Sequence, residues 1–449
     1  MTPLNFEMLR SHAAERMFTQ LNNLHFSCVG LVVVERKRSM SMYRYLGPGI
    51  LLAGAAIGGS HLVASTQAGA HYGWSLLGIL ILINLFKYPF FRYGQRYTAA
   101  TGESILHGYM RLGRPYLAMF LVLNLITGMI NIAGVSMVAG SLATNFGITG
   151  IGIPGLSAFL MVASALIIIL GGFGWLRRIG KMVVAVLAVS TVVAMFISIY
   201  NGPVAEPGFV GVSPWTSASF GFVIMFMGWM PAPIESSVWP SLWMKSQEKL
   251  QNRVSVMRET MIDFHAGYYV SVFMAFVFLV LGKMVMYGSG TELSVQGSVF
   301  ARQLIDLYSE SIGAWARPLI IVAAFSAMFS TSLTTIDAYP RALANTTTLL
   351  FPKLVKHFKL VHLLWIISGV TGGFLIINFF VDQLGDMLTL AMTISFLAAP
   401  IFALINYRVM FLEHVPQQFK PKRWEIVISL SGIGFLAGFG LIFIYWMFF

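Results

Sequence analysis

Gly58-Gly59-Ser60-His61 interrupts the first long apolar stretch of the chain, and Met230-Pro231-Ala232-Pro233 interrupts the sixth. Glycine and proline break helices, and at membrane depth such breaks are tolerated where the freed backbone groups line a cavity. Breaks at matching places in two halves of a chain are typical of the binding site of a membrane carrier. The two stretches therefore predict a transporter whose site lies between them.

The composition indicates the same class of protein. Of the 449 residues, 57% are hydrophobic and only 10% are charged, against about a quarter charged in an ordinary soluble domain. A soluble fold cannot hide that much apolar surface, so the composition predicts a polytopic integral membrane protein. The net charge of +12 is spread over many short loops rather than pooled in one patch, which argues against a nucleic-acid partner.

Apolar runs of about 18 residues or more, the length that crosses a bilayer, recur along most of the chain. We expect spans at residues 46–66, 73–97, 115–141, 154–174, 180–200, 215–243, 260–287, 314–338, 360–380, 387–409 and 425–447. Lys and Arg concentrate in alternate loops, while the remaining loops keep mainly acidic residues. This positive-inside pattern predicts eleven spans in a plasma or inner membrane, with the N-terminus in the cytoplasm.

Residues 1–40 do not fit the pattern of spans. We expect them to be an N-terminal extension that arises from an upstream start codon, with Met40 or Met42 as the true start; a peripheral amphipathic helix is the alternative. Residues 41–449 are expected to form a single transporter domain. The single cysteine, Cys28, excludes an intrachain disulfide and a cysteine-ligated metal cluster.

Several stretches carry a family resemblance. They are Gly47-Pro48-Gly49, Gln67-Ala68-Gly69-Ala70-His71-Tyr72-Gly73, Ala99-Ala100-Thr101-Gly102-Glu103, Met230-Pro231 and Ser330-Thr331-Ser332-Leu333-Thr334. With these stretches the chain resembles the NRAMP family of proton-coupled manganese and iron transporters. The resemblance implies an all-α, LeuT-type membrane fold with two inverted five-helix repeats, here about residues 44–201 and 213–410, broken first and sixth helices, and an extra helix at 425–447. It also implies a divalent metal ion and protons as transported partners, and no cofactor.

The chain departs from the family pattern at the residues that bind the metal ion in the family. The family breaks its first helix with an Asp-Pro-Gly-Asn motif that supplies oxygen ligands, and those four places hold residues 58–61 here. The Met-Pro-His of the family's sixth helix becomes Met230-Pro231-Ala232. We therefore expect an altered substrate site. Its candidate residues are Gly58, Gly59, Ser60, His61, Met227, Met230, Ala232, Glu235 and Ser330.

Three of these side chains are candidate metal ligands. A hard cation prefers carboxylate oxygen, and Glu235 is the nearest carboxylate to the second break. His61 and Met230 form a softer nitrogen and sulfur pair that suits a late transition metal. The alternatives are that Glu235 caps the restarting half-helix or faces the exit, and that Met230 is packing material.

Proton coupling has its own candidates. His61 lies in the first break and exchanges protons near neutral pH; the alternative is a neutral histidine bonded to freed carbonyls. Asp263 and His265 open the seventh span, and the pair Asp337 and Arg341 ends the eighth. We expect these four along an inner proton pathway, although a favourable helix start and an ordinary ion pair explain them equally well.

Lys87 and Arg92 lie toward the inner end of the second span, where we expect them to reach toward lipid phosphates. Enzymatic function is not indicated, because the chain carries neither a Walker phosphate loop nor a His-Glu-x-x-His zinc motif. Two alternatives to metal transport stay open. One is a carrier of a small organic or anionic solute, received by the backbone at Gly58-Gly59, and the other is a membrane sensor that does not transport.

Overall fold

The computed structural model describes residues 46–148, 150–290, 294, 296–380 and 383–448, and the elements in these ranges are all helical. The α-helices are α1 Pro48–Ala56, α2 Thr66–Tyr72, α3 Leu77–Thr101, α4 Ile105–Leu112, α5 Arg114–Ala143, α6 Ile153–Asn201, α7 Ser217–Trp229, α8 Val238–Gln251, α9 Met257–Val285, α10 Gly297–Ile312, α11 Arg317–Leu350, α12 Phe358–Phe379, α13 Leu384–Val409 and α14 Arg423–Phe448. Residues 1–40, and with them the predicted N-terminal extension, lie outside the described ranges.

Both predicted helix breaks are present. Helix α1 stops at Ala56 and the chain continues through the π-helix Gly59–Ser65 into α2. Helix α7 stops at Trp229, and the 3-10 helix Ile234–Ser237 leads into α8. At each break the end of one half-helix therefore lies close to the beginning of the next. The backbone groups at the break are exposed within the helical bundle.

Nine helical segments of the described chain are long and apolar enough to cross a membrane, against the eleven spans predicted. The differences lie at two places. Helix α3 carries Lys87, Arg92 and Arg96, which lower its apolar character. Helix α6 covers the predicted spans 154–174 and 180–200 and departs from helical geometry at Gly172, with φ of 58° and ψ of −163°. The all-helical membrane architecture is confirmed, while the count of eleven and the side of the N-terminus stay predictions.

Glycines bring α9 against the first broken helix. A Cβ atom at Gly267 of α9 would lie 2.0 Å from the carbonyl oxygen of Gly49 in α1. A Cβ atom at Gly282 would lie 2.0 Å from the carbonyl oxygen of Thr66 in α2. Small residues let helix backbones approach closely in membranes, so both halves of the first broken helix are packed directly on α9.

Arg92 of α3 does not reach toward lipid phosphates as predicted. Its Nη1 atom lies 2.5 Å from Glu425 Oε1 of α14, and Arg96 Nη1 lies 2.7 Å from the same oxygen. The Glu425 side chain is only 1% exposed. A buried carboxylate needs charged partners, so the two arginines are fixed by the last helix instead of by lipid.

Candidate functional site

A small cavity of about 30 Å³ lies between the two breaks. It is lined by Ala55, Ala56, Gly59, Ser60, Asn131, Val135, Trp229, Ala232, Pro233, Trp239, Thr331, Thr335 and Tyr339. A water molecule occupies roughly 10–15 Å³ on this measure, so the cavity has room for about two waters. Its polar side chains carry hydroxyl and amide groups, and none carries a charge.

Close approach of side chains explains the two glycines of the first break. A Cβ atom at Gly58 would lie 2.3 Å from Thr331 Oγ1, and one at Gly59 would lie 2.7 Å from the indole ring of Trp229. Side chains of α7 and α11 therefore lie in close contact with the backbone of Gly58 and Gly59. A larger residue would displace the walls of the cavity.

A chain of hydrogen bonds runs from the cavity to Glu235. Asn131 Nδ2 donates to the Tyr339 hydroxyl at 2.8 Å, and that hydroxyl donates to Glu235 Oε1 at 3.4 Å. The Tyr339 ring packs edge-on against Trp239, with ring centroids 4.9 Å apart. Residues from α5, the second break and α11 thus meet at one wall of the cavity.

Two oxygens near this wall accept no hydrogen bond; Asn131 lines the cavity, whereas Glu235 lies behind Tyr339 and does not. Asn131 Oδ1 and Glu235 Oε2 are buried and have no donor among the described residues, and Glu235 as a whole is 0% exposed. Buried acceptors without a donor cost free energy, and a cation or a bound water removes that cost. Trp239 Nε1, a donor, is also without a partner in the described chain, which suits a water placed between donor and acceptors.

Lys87 corrects a second prediction. Its side chain is 0% exposed, and its ammonium donates to the carbonyl oxygens of Met227 at 2.7 Å, Gly228 at 2.8 Å and Ala232 at 3.2 Å. The prediction placed the lysine at the lipid phosphates because sequence position along α3 does not tell which face points inward. The broken helix offers free carbonyls, which are a stronger attraction for an ammonium than the membrane surface.

His61 lies beside the cavity but does not line it. Its Nδ1 atom is 2.7 Å from Ser60 Oγ, and its Nε2 atom is 2.8 Å from the Ser271 carbonyl oxygen of α9. The ring packs edge-on against Phe278. Ser60 does line the cavity, so the imidazole is one hydroxyl group away from it.

The other predicted substrate residues differ in what they contact. Ala232 lines the cavity, and Met227 contributes a carbonyl to Lys87. The Met230 sulfur accepts from Ser65 Oγ at 3.7 Å and does not line the cavity. Ser330 is 1% exposed, and its hydroxyl has no partner in the described chain. Eight of the nine candidates therefore lie in or beside the two breaks, Ser330 is buried within α11, and the roles of all nine stay predictions.

Two of the four inner proton-pathway candidates, Asp263 and His265, lie on α9 and bind groups of neighbouring helices. The Asp263 carboxylate accepts from the backbone N–H of Gly47 at 2.7 Å and of Gly49 at 2.6 Å. His265 Nε2 lies 2.9 Å from the Tyr88 hydroxyl. Neither side chain reaches the cavity, so Asp263 is a cap for α1 in this conformation and its role in proton movement stays a prediction.

The other two candidates form the ion pair that the spacing predicts. Arg341 Nε donates to Asp337 Oδ2 at 2.9 Å within α11. Trp243 Nε1 of α8 donates to the same carboxylate at 2.9 Å, and Arg341 also donates to Ser246 of α8 at 3.3 Å. The pair therefore joins α8 to α11, on the far side of the second break from α7.

A second cavity, of about 200 Å³, lies between the end of α2 and the start of α13. Its polar lining includes Gln67, His71, Asp386 and Thr389. In the described part of the chain no cluster of three or more His, Cys, Asp or Glu side chains has the spacing of a metal site. The first cavity is the better candidate for the substrate because it lies between the two breaks, and the second lies at the other end of α2.

Sequence reasoning missed part of the site. Asn131, Thr335, Tyr339 and Trp239 were not singled out, and Lys87 was assigned to the lipid surface. One signal was available, since a polar or ionisable residue within an apolar span tends to face a cavity or a partner. Asn131 and Lys87 both satisfy that criterion.

The comparisons with known proteins agree with this architecture. Residues 49–446 match the Nramp family, described as natural resistance-associated macrophage protein-like. An uncharacterized protein of Pasteurella multocida is 38% identical over 415 residues, which cover 92% of this chain and 94% of that protein. A solved variant of the Eremococcus coleocola manganese transporter is 16% identical, with a TM-score of 0.66 over 91% of this chain and 88% of that one.

A solved transporter of the nucleobase-cation-symport-1 family, in a closed conformation with bromovinylhydantoin bound, is 17% identical to this chain. Its TM-score is 0.56 over 88% of this chain and 90% of that one. Both solved structures support the LeuT-type fold expected for the chain. The family is one of membrane transporters and not of enzymes, and the match spans nearly all of the described residues: the chain belongs to the Nramp family.

Proposed function

We propose that this chain is a secondary-active carrier of a divalent metal ion, which binds in the cavity between the two breaks through oxygen ligands. The observation that carries the proposal is the pair of buried acceptors, Asn131 Oδ1 and Glu235 Oε2, that have no donor in the described chain. A divalent cation supplies what both oxygens lack. Family membership supports metal transport as the activity, and the solved manganese transporter shares the fold.

The cavity lining supplies hydroxyl and amide oxygens, and Glu235, which does not line the cavity, adds a carboxylate through its hydrogen bond with Tyr339. Hydroxyl, amide and carboxylate oxygens are the ligands that Mg²⁺, Mn²⁺ and Ca²⁺ prefer, whereas softer metals prefer nitrogen and sulfur. The two soft side chains near the breaks are engaged elsewhere, His61 by Ser271 and Met230 by Ser65. We therefore expect Mn²⁺, Mg²⁺ and Ca²⁺ to bind saturably at this site. The volume of about 30 Å³ favours an ion over an organic solute.

Proton coupling at His61 is the second part of the proposal. The Ser271 carbonyl only accepts, so Nε2 of His61 carries a hydrogen. The Ser60 hydroxyl has three acceptors within reach, Nδ1 of His61 at 2.7 Å, the Ala56 carbonyl oxygen at 2.5 Å and the Pro231 carbonyl oxygen at 3.3 Å. When His61 is neutral, Ser60 donates to Nδ1; when His61 is protonated, Nδ1 donates to Ser60, and Ser60 donates to Ala56. A hydroxyl rotation therefore accommodates both charge states beside the cavity.

Divalent binding is tested by calorimetry on the purified chain with Mn²⁺, Mg²⁺, Ca²⁺ and Zn²⁺. We expect saturable binding of the hard ions, weakened about tenfold or more by Glu235→Gln, because a charged ligand oxygen is replaced by a neutral one. Glu103→Gln is the matched control, since Glu103 pairs with Arg111 at the surface. Equal binding by Glu235→Gln and Glu103→Gln would reject the oxygen site. No saturable binding by a folded protein would reject metal transport.

Proton coupling is tested by the acid dependence of metal uptake into proteoliposomes. We expect His61→Gln to remove that dependence, and Ser60→Ala to weaken it, because the rotating hydroxyl is lost. His414→Gln is the control, since His414 pairs with the Tyr97 hydroxyl away from the cavity. Acid-stimulated uptake that persists unchanged in His61→Gln would exclude His61 as the proton carrier.

A further inference from the structure

Lys87 is buried within the bundle without a carboxylate in direct contact. It is 0% exposed, and no acidic oxygen of the described residues lies within salt-bridge distance of its ammonium. Its three polar contacts are all backbone carbonyls, at 2.7, 2.8 and 3.2 Å. An ammonium group offers three N–H donors and no acceptor. The three carbonyl oxygens therefore provide one acceptor for each N–H donor of the charged lysine.

The carbonyls come from the end of α7 and from the second break itself. Met227 and Gly228 belong to the last turn of α7, and Ala232 lies within the break. The final carbonyls of a helix have no partners within it, and the helix dipole places negative potential there. Glu235 is a buried acidic neighbour whose carboxylate form adds further attraction. The same features of oxygen donors and negative potential define a cation site.

We propose that the carbonyls of Met227, Gly228 and Ala232 form a monovalent-cation site that Lys87 fills from within the chain. The lysine thus serves as a tethered counter-cation at the second break, next to the substrate cavity. A chain without this lysine would expose three inward-facing carbonyls, and a free cation would take its place. The suitable ligands are a primary ammonium ion, which reproduces the three N–H donors, and Na⁺, which is compact and prefers oxygen.

The test replaces the lysine and supplies the cation in solution. Thermal unfolding of the full chain in detergent is measured in choline chloride, sodium chloride and methylammonium chloride at equal ionic strength. We expect the wild type to unfold at the same temperature in all three salts. Lys87→Ala is expected to unfold several degrees lower in choline, and to recover saturably in methylammonium or sodium.

Lys283→Ala is the control for removal of a lysine from a spanning helix, because the Lys283 ammonium lies over the Tyr287 ring and not in a carbonyl cage. It should show no response that depends on the cation. A folded Lys87→Ala variant with the same unfolding temperature in all three salts would overturn the proposal. So would a wild type that responds to the cations as strongly as the variant.

A second variant keeps the proposal testable if Lys87→Ala does not fold in any salt. Lys87→Met fills the same space without charge, so no free cation can enter. We expect its uptake rate to fall about tenfold or more, without rescue by methylammonium or sodium. Wild-type uptake by Lys87→Met would overturn the proposal. The uptake measurement rests on the proposed function, whereas the unfolding measurement needs no divalent metal, so failures of the two are distinguishable.

Discussion

Trp243 of α8 donates its indole N–H to the Asp337 carboxylate of α11 at 2.9 Å. Asp337 is 1% exposed and is also bound by Arg341 one turn further along α11. The half of the broken helix that follows the second break is thereby tied to a helix whose threonines line the substrate cavity. A change in this contact is expected to alter both stability and access to the cavity.

Removal of the buried carboxylate should destabilise the protein strongly. Asp337→Ala leaves the Arg341 guanidinium, which is mostly buried, without its partner, and such losses cost about 3–5 kcal/mol. We expect a clear fall in the unfolding temperature, measured by thermal denaturation in detergent. Arg253→Ala is the control, because the Arg253–Glu259 pair is largely exposed and such pairs contribute about 0–1 kcal/mol. Equal effects of the two substitutions would contradict the structural role of Asp337.

Loss of the Asp263 cap should loosen the beginning of α1. Asp263→Asn replaces one of two accepting oxygens by a donor that faces the N–H groups of Gly47 or Gly49. We expect a maleimide to label Ile50→Cys faster in this variant, in a Cys28→Ser background that contains no other cysteine. An unchanged labelling rate would show that the packing of α9 holds α1 without the carboxylate.

A methyl group at the first break should displace α11. Gly58→Ala places Cβ 2.3 Å from Thr331 Oγ1, and overpacking of this kind costs about 1–3 kcal/mol. We expect a lower unfolding temperature and reduced uptake, partly recovered by a second substitution, Thr331→Ala. Gly434→Ala is the control, because nothing lies within 4 Å of a Cβ atom there. Full activity of Gly58→Ala would place the two helices farther apart than described.

The hydroxyl between Asn131 and Glu235 should contribute to metal binding. Tyr339→Phe keeps the ring against Trp239 but removes the group that bridges Asn131 and Glu235. The loss of such a hydrogen bond costs about 1–3 kcal/mol, so divalent binding by calorimetry should weaken about tenfold. Tyr93→Phe, which removes a hydroxyl bonded to Ser429 of α14, should bind as the wild type does. Unweakened binding by Tyr339→Phe would remove this hydroxyl from the site.

The sequence predicted the parts of the fold that local rules determine. Paired glycines at 58–59 and two prolines at 231 and 233 disfavour a continuous helix more strongly than a single proline does, so both breaks were placed correctly. The short helices α4 and α10 were not predicted, because neither is long enough to read as a span. The spans predicted at 154–174 and 180–200 place an interruption at 175–179, and the helix departs from helical geometry a few residues earlier, at Gly172.

The site was predicted less completely because its contacts join distant segments. Lys87 and the carbonyls that bind it are 140 or more residues apart, and Asn131 and Tyr339 are 208 apart. Such pairings depend on helix rotation and depth, which a single sequence with apolar residues on all sides of its helices does not specify. Glu235 was found because it lies next to a break, and Tyr339 was missed because it lies within a regular helix.

The two breaks differ in how they are held. At the second, the Lys87 ammonium bonds carbonyls of the end of α7 and of Ala232 within the interruption, which ties this break to α3. At the first, no charged side chain bridges α1 and α2 in the described chain, and two glycines allow the backbone to turn. We therefore expect the second break to move together with α3, and the first to change its backbone conformation more easily.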